Sequence, residues 1–282
     1  MTLILDCIKQ NTFIPFPNRC FHNGDGSDSI ASIIKQKDIP YTTWEYCGSD
    51  DEKKFKSNLK RTKKDWYYRD TPIKYTLNSL GYRTRNFDEI DWGNSIVIFG
   101  CSHVQGVGVD DTHTISFFLE KELNLPVINM GVIGSSNVFH LHNVNVLLTQ
   151  YPRPKAVLYF PSALQRYPVY DWDHVIYRGE WTDNKTQMKT NRANSVVQNI
   201  MALNIISNMC QSMTTYIEYC VSHPLYKFLE DINPNENRVY IDGCEPRIDG
   251  EEDYARDLAH PGVIIHERLA KSLTKILNDR IE

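Results

Sequence analysis

"SIVIFGCSHVQGVGV" (95–109) decides the fold. Ile96, Val97, Ile98 and Phe99 form an unbroken apolar run with no polar residue alternating through it. That is the pattern of a strand covered on both faces, where each side chain meets a packed layer whichever way it points. The run stops at Gly100 and gives way to Cys101, Ser102 and His103, then to Gly106 and Gly108. A strand buried on both sides needs helices above and below its sheet. One short stretch therefore predicts parallel strands joined by helical crossovers.

The chain on either side extends this reading. "THTISFFLEKELNL" (112–125) places Ile115, Phe118, Leu119 and Leu123 at helical spacing, with Asp111 as the expected N-cap. "PVINMG" (126–131) reads as a second strand, "SNVFHLHNVNVLLTQY" (136–151) as a helix capped by Ser135 or Ser136, and "KAVLYF" (155–160) as a third strand. "NSVVQNIMALNIISNMC" (194–210) is a further helix, followed by strands "TTYIEYCVS" (214–222) and "RVYIDGC" (238–244). "PGVIIHERLAKSLTKIL" (261–277) closes the chain as a helix with Pro261 suited to its first turn. The expected fold is α/β: a flavodoxin-like three-layer α/β/α sandwich over 91–282, with a parallel sheet of about five strands and an aromatic-rich insertion at 161–192. Residues 1–90 lack clear periodicity and are read as an irregular N-terminal extension of short strands and loops packed on that domain.

Composition narrows the function. The chain has 282 residues, 41% hydrophobic and 23% charged, which suits a globular protein with a sizeable core. A net charge of -4 argues against a nucleic-acid partner, which calls for a basic excess. The basic run "KKFKSNLKRTKK" (53–64) is read as a solvated helix face. "MTLILDCIKQ" is too short in its apolar part, and lacks the basic leader, for a signal peptide, and no stretch approaches a membrane span. A cytoplasmic location and no membrane partner are expected. Seven scattered cysteines form no Cys-x-x-Cys pair, so no metal site and no disulfide framework is expected. "GCSHVQGVG" has neither the Gly-Lys-Ser/Thr of a phosphate loop nor the third glycine of a dinucleotide fingerprint, and no cofactor is expected.

Ligands of such sheets bind beyond the carboxyl ends of the strands, near the point where strand order reverses. Three loops of that edge carry chemistry. Ser102 follows the first strand. "NMGVIGSSN" (129–137) brings Gly131 and Gly134 to the start of a helix. "DLAHPG" (257–262) sets Asp257 three residues before His260. A serine hydroxyl becomes a nucleophile when an imidazole takes its proton, and a carboxylate fixes the tautomer of that imidazole. The structural alternatives are a polar residue ending a strand for Ser102 and a local helix cap for Asp257 and His260.

These segments resemble the blocks of the SGNH/GDSL hydrolase family. "IFGCSHVQGVGV" resembles the first block, "INMGVIGSS" the second and "DLAHPGVIIHERLA" the last, with its Asp-x-x-His-Pro before a terminal helix. The resemblance implies Ser102 as nucleophile, Asp257 and His260 as its partners, and the N–H groups of Ser102 and Gly134 as an oxyanion hole. Two departures stand out. Cys101 replaces the usual aspartate of the first block. The third strand ends "YFPSALQR" (159–166) where the family carries a Gly-x-Asn, so Ser162 or Gln165 is the candidate substitute donor.

The excursion at 159–181 holds seven aromatic residues. Arg166, Tyr167, Tyr170 and Trp172 are candidate substrate contacts, since such rings stack on sugar faces. The expected function is a serine-dependent ester hydrolase that removes a short acyl group, such as acetyl, from a small-molecule or glycan ester. An O-acetyltransferase with the same three residues stays open. So does a catalytically idle protein that binds a glycan or another protein.

Overall fold

The computed structural model describes residues 3–15, 21–22, 42–170, 175–178, 185–211, 213, 215–220, 223–232, 234–241, 247–248 and 251–281. In chain order, α1 (Leu3–Gln10), β1 (Phe21–His22), β2 (Thr42–Trp44), β3 (Tyr46–Cys47), α2 (Glu52–Arg61) and β4 (Tyr75–Leu77) come first. The strand quoted above is β5 (Ile96–Gly100), followed by α3 (Ser102–Gln105), α4 (Ile115–Leu123), β6 (Val127–Gly131), α5 (Asn137–Gln150) and β7 (Ala156–Tyr159). An antiparallel ribbon of β8 (Tyr167–Tyr170) and β9 (Val175–Arg178) leads to α6 (Lys185–Cys210). Then come β10 (Tyr216–Cys220), α7 (His223–Ile232), β11 (Arg238–Tyr240), the two-residue pair β12 (Arg247–Ile248) and β13 (Glu251–Glu252), and α8 (Val263–Asn278).

The central sheet has five strands in the order β11-β10-β7-β5-β6, every neighbouring pair parallel. Numbered among themselves the strands run 2-1-3-4-5, the flavodoxin-like order, with its switch point beside β5. Alternation along β5 explains its unbroken apolar run. Val97 and Phe99 join Ile128, Met130, Val157 and Tyr159 on one face, under Phe139 and Leu147 of α5 and Leu203 and Ile206 of α6. Ile96 and Ile98 join Leu158 and Ile217 on the other, under Leu119 of α4 and Leu269 and Leu273 of α8. Each such side chain, fully buried, contributes roughly 1.5–3 kcal/mol against exposure. The product is the expected three-layer sandwich.

The helix ends differ from expectation in instructive ways. α4 is capped by Thr114, whose Oγ1 accepts the Phe117 N–H, while Asp110 caps a short 3-10 turn at Asp111–His113. Asp111, the expected cap, is drawn off instead: its carboxylate accepts from Arg83 Nε at 2.6 Å and from the Thr76 N–H. A charged, buried tertiary partner outweighs a local cap. At α5 the cap is Ser136, and Ser135 turns its hydroxyl to His140 Nε2. Pro261 stands just outside α8, whose N-cap Gly262 has no side chain; Asp253 fills the role, accepting the Ile265 N–H at 2.8 Å. The fourth and fifth strands are shorter than the sequence suggests, α6 starts earlier, and α7 fills part of the connection between those two strands.

The N-terminal elements share the core. β2 pairs with β4, and Phe13 stacks on Tyr151 of the segment after α5. Tyr82 donates its hydroxyl to the Ile14 carbonyl and accepts from Asn143 of α5. The basic run lies on α2, with Lys53, Lys56, Lys60 and Arg61 exposed. Among the described residues, no helix is long and apolar enough to cross a membrane.

Candidate active site

β5 delivers its last residue, Gly100, to the carboxyl edge of the sheet, and Ser102 opens α3 directly beyond it. The Ser102 carbonyl accepts from the N–H groups of Gly106 and Val107, which fixes the corner on which the hydroxyl stands. The 253–262 segment docks against this corner from the far end of the chain. Arg256 donates its N–H to the Gly108 carbonyl at 3.0 Å, and Ala255 donates to the His260 carbonyl. Gly108 has φ +83°, and a Cβ there would stand 2.6 Å from Ala255 Cβ, so only glycine lets the two segments close.

Asp257 and His260 face each other across this turn. Leu258 between them adopts φ +54°, a left-handed conformation costing about 1–2 kcal/mol for a side-chain-bearing residue. The Asp257 carboxylate offsets that strain, since its Oδ1 accepts the N–H groups of both Ala259 and His260 at 3.0 Å. Oδ2 lies 2.7 Å from His260 Nδ1, and His260 Nε2 lies 2.8 Å from Ser102 Oγ. An ionised carboxylate only accepts, so Nδ1 carries the ring proton and Nε2 presents its lone pair to the serine hydroxyl. Burial alone would raise the Asp257 carboxyl, but the hydrogen bond and charge of His260, with donors from Ser49 and Ala259, hold it well below the usual carboxylate range.

The second loop is pinned at the same corner. Val132 donates its N–H to the Gly100 carbonyl, Ile133 to Gln105 Oε1, and Ser135 to the Val132 carbonyl. Gly134 keeps its N–H without an acceptor among the described residues, as does Ser102.

At the end of β7 the expected substitutes part company. Ser162 is fully buried, with its hydroxyl unpartnered, and its backbone is gripped by Asn137: Oδ1 accepts the Ser162 N–H at 2.8 Å and Nδ2 donates to its carbonyl. Gln165 is half-buried. Arg166 and Tyr167 follow at the same edge, both half-buried, while Tyr170 ends β8 and Trp172 lies outside the described residues.

Cys101 is only partly buried at the cap of α3. Burial would raise its thiol, yet the Arg166 guanidinium and a hydrogen bond from the His103 backbone outweigh it and lower the thiol below its usual range. His266 on α8 is buried, and desolvation pushes its imidazole down to about 3. His103 meets the catalytic-candidate ring of His260 edge to face at 5.7 Å.

Sequence reasoning missed a set of residues from the N-terminal part. Ser49 donates its hydroxyl to Asp257 Oδ2 at 2.6 Å. Next to it, the buried Asp50 takes both Arg256 Nε and an Arg256 guanidinium NH2 at 2.8 Å, and accepts the Tyr75 hydroxyl at 2.6 Å. Tyr75 in turn accepts the Gly108 N–H at 2.7 Å. A turn residue more than two hundred positions from its partner leaves no local signal; the Gly-Ser pair at 48–49 marks a turn and nothing more.

Among the described residues, no cluster of His, Cys, Asp and Glu is arranged to hold a metal ion. Fold and site together define a doubly wound α/β protein with a Ser-His-Asp hydrogen-bond chain at the carboxyl edge of its sheet. No family model and no curated protein matches the sequence. Solved structures do resemble it. One, from Desulfitobacterium hafniense, is described as a lipolytic protein of the G-D-S-L family; it is 11% identical, with 65% of this chain and 99% of that chain covered and a TM-score of 0.38. A family 2 carbohydrate esterase with a carbohydrate-binding domain, from Corynascus thermopiles (Myceliophthora fergusii), is 11% identical over 66% of each chain, with a TM-score of 0.42. A family two carbohydrate esterase from Clostridium thermocellum, in complex with cellohexaose, is 11% identical over 66% of this chain and 64% of that one, with a TM-score of 0.40.

Proposed function

We propose that this protein is a serine ester hydrolase of the SGNH/GDSL kind that removes a short acyl group, acetyl being the favoured one, from a carbohydrate ester. The observation that carries the reading is the chain of two short contacts, Ser102 Oγ to His260 Nε2 at 2.8 Å and His260 Nδ1 to Asp257 Oδ2 at 2.7 Å. A polar residue merely ending a strand needs no imidazole, and a helix cap needs no serine from 158 residues away.

In this reading Ser102 Oγ attacks the acyl carbon while its proton passes to His260 Nε2. The carbonyl oxygen becomes an oxyanion and receives the Ser102 and Gly134 N–H groups. The intermediate then expels the alcohol, which takes the proton back from His260. A water, deprotonated by the same nitrogen, attacks the acyl-serine and frees the carboxylic acid and Ser102. Asp257 stays ionised throughout and stabilises the imidazolium. Of the two candidates for a third oxyanion donor, Gln165 has surface open to a ligand, whereas Ser162 has none in this state. Arg166 and Tyr167 are the described residues best placed to meet the alcohol portion, as they follow β7 at the same edge.

The sealed Ser162 also favours a second reading, an idle protein that keeps the fold and binds its ligand without turnover, since one absent donor costs about 10²–10³ in rate. Hydrolysis of p-nitrophenyl acetate and labelling by a fluorophosphonate probe separate the two. The esterase reading expects wild type to hydrolyse and label and Ser102→Ala to do neither. Equal rates in the two proteins, or an unlabelled wild type, would overturn it.

A further inference from the structure

The N-terminal part reaches the active site through one tight turn. Cys47 and Asp50 exchange backbone hydrogen bonds in both directions at 3.0 Å, so Gly48 and Ser49 form the tip of a two-residue hairpin. That tip is wedged between the two loops that flank Ser102. On one side, a Cβ added to Gly48 would fall 2.1 Å from Ile133 Cδ1, so the tip presses on the loop that presents Gly134. On the other side, Ser49 Oγ lies 2.6 Å from Asp257 Oδ2. Asp50, immediately after the tip, anchors it through the paired bonds to Arg256, the residue before Asp257.

We propose that Ser49 is a positioning residue of the Ser102 site, a fourth member of the hydrogen-bond chain supplied by the N-terminal hairpin. The inference rests on the esterase reading above. Its geometry separates the two serines clearly. His260 has two ring nitrogens: Nε2 faces Ser102, and Nδ1 faces Asp257 with Ser49 Oγ 3.5 Å away. Ser49 is therefore on the wrong edge of the ring to be activated as a nucleophile. What its hydroxyl does is fill the remaining acceptor position of Oδ2, while the backbone donors of Ala259 and His260 fill Oδ1. With Ser49 in place the carboxylate plane has a single setting, and that setting aims Oδ2 along the Nδ1–H bond. Without it, Oδ2 has one donor only, and the carboxylate is free to rock about its Oδ1 contacts.

A hydrogen bond to a charged group is worth enough that its loss from the transition state lowers turnover about tenfold. The test uses the full chain, p-nitrophenyl acetate, and rates normalised to sites titrated by fluorophosphonate. Ser49→Ala is expected to lose about tenfold in kcat with KM within about twofold, and Ser49→Thr, which keeps a hydroxyl, is expected to recover most of the loss. A purely structural role would reduce the number of titratable sites and leave kcat per site unchanged. That result, or a Thr variant no better than Ala, overturns the proposal.

A second measurement does not depend on turnover. The proton on His260 Nδ1 gives a low-field NMR resonance when held against a carboxylate, and it is expected to shift and broaden in Ser49→Ala but not in Ser49→Thr. An identical resonance in wild type and Ser49→Ala overturns the proposal. A wild type that neither labels nor hydrolyses refutes the esterase reading instead, and the resonance then still decides whether Ser49 holds Asp257.

Discussion

Gly108 is the point where the two halves of the site touch, and replacing it with alanine separates them by a calculable amount. The added Cβ would lie 2.6 Å from Ala255 Cβ and 3.1 Å from the Arg256 nitrogen. Carbon atoms rest about 3.5–4.0 Å apart, so the 253–262 segment has to retreat by on the order of 1 Å. Holding alanine at φ +83° costs about 1–2 kcal/mol, and overpacking a close contact about 1–3 kcal/mol more. The expected loss of stability is therefore about 2–5 kcal/mol, on the order of 10 °C in unfolding midpoint for a chain of this size. The retreat also carries His260 away from Ser102, now 2.8 Å apart, and under the proposed mechanism a displacement of about 1 Å between these atoms costs on the order of 10²-fold in rate. Gly93→Ala is the control, because its Cβ would meet nothing closer than 3.6 Å. Thermal unfolding and p-nitrophenyl acetate hydrolysis per titrated site should show Gly93→Ala close to wild type and Gly108→Ala far below it on both measures. A Gly108→Ala protein that melts with wild type and turns over within twofold would refute the view that this contact sets the distance.

Two further outcomes follow from the buried charges. Asp50→Ala leaves the Arg256 guanidinium without its carboxylate in a nearly inaccessible site, and urea unfolding should register a loss of about 3–5 kcal/mol, whereas Asp50→Leu combined with Arg256→Leu should lose less than the two single changes added together; strictly additive losses would show that the pair is not coupled. Asp257 has a folded-state pKa below the unfolded value of about 3.9, so its contribution to stability is present above that value and fades as the pH falls through the folded one. Wild type should accordingly lose stability more steeply than Asp257→Asn as the pH is lowered from about 4 to 2, and parallel curves would contradict the assignment.

The fold was readable because its sheet is doubly covered. β5 and β7 announce themselves as continuous apolar runs, β6 is broken only by the buried Asn129, and strands covered on both faces call for parallel pairing and helical crossovers. What escaped was decided by contacts between distant segments. Asp111 has the composition of a helix cap and its place in sequence, yet Arg83 and Thr76 claim it, and nothing near residue 111 records their approach. α7 obeys local rules: Pro224 stands in its first turn, where proline is tolerated, and Leu225, Phe228, Leu229 and Ile232 follow at helical spacing. At the site, Ser102, Asp257 and His260 each sit in a segment with its own signature, and the structure brings those three together. Ser49, Asp50 and Arg256 carry no signature of that kind. Their roles exist only once a hairpin from the first fifth of the chain has met a loop from its last tenth.

That meeting has a consequence for timing. Ser102 and His260 are 158 positions apart and Ser49 and Asp257 are 208, so neither pair can form from neighbouring turns during synthesis. Contacts of such separation close late, after the entropy of ordering the intervening chain has been offset by the core. A ribosome-bound fragment ending before His260 holds Ser102 without its imidazole partner, however well its sheet has formed. During refolding, the moment at which a serine-directed probe first reacts would report completion of the last long-range docking step, and so would separate finished molecules from compact but unfinished ones.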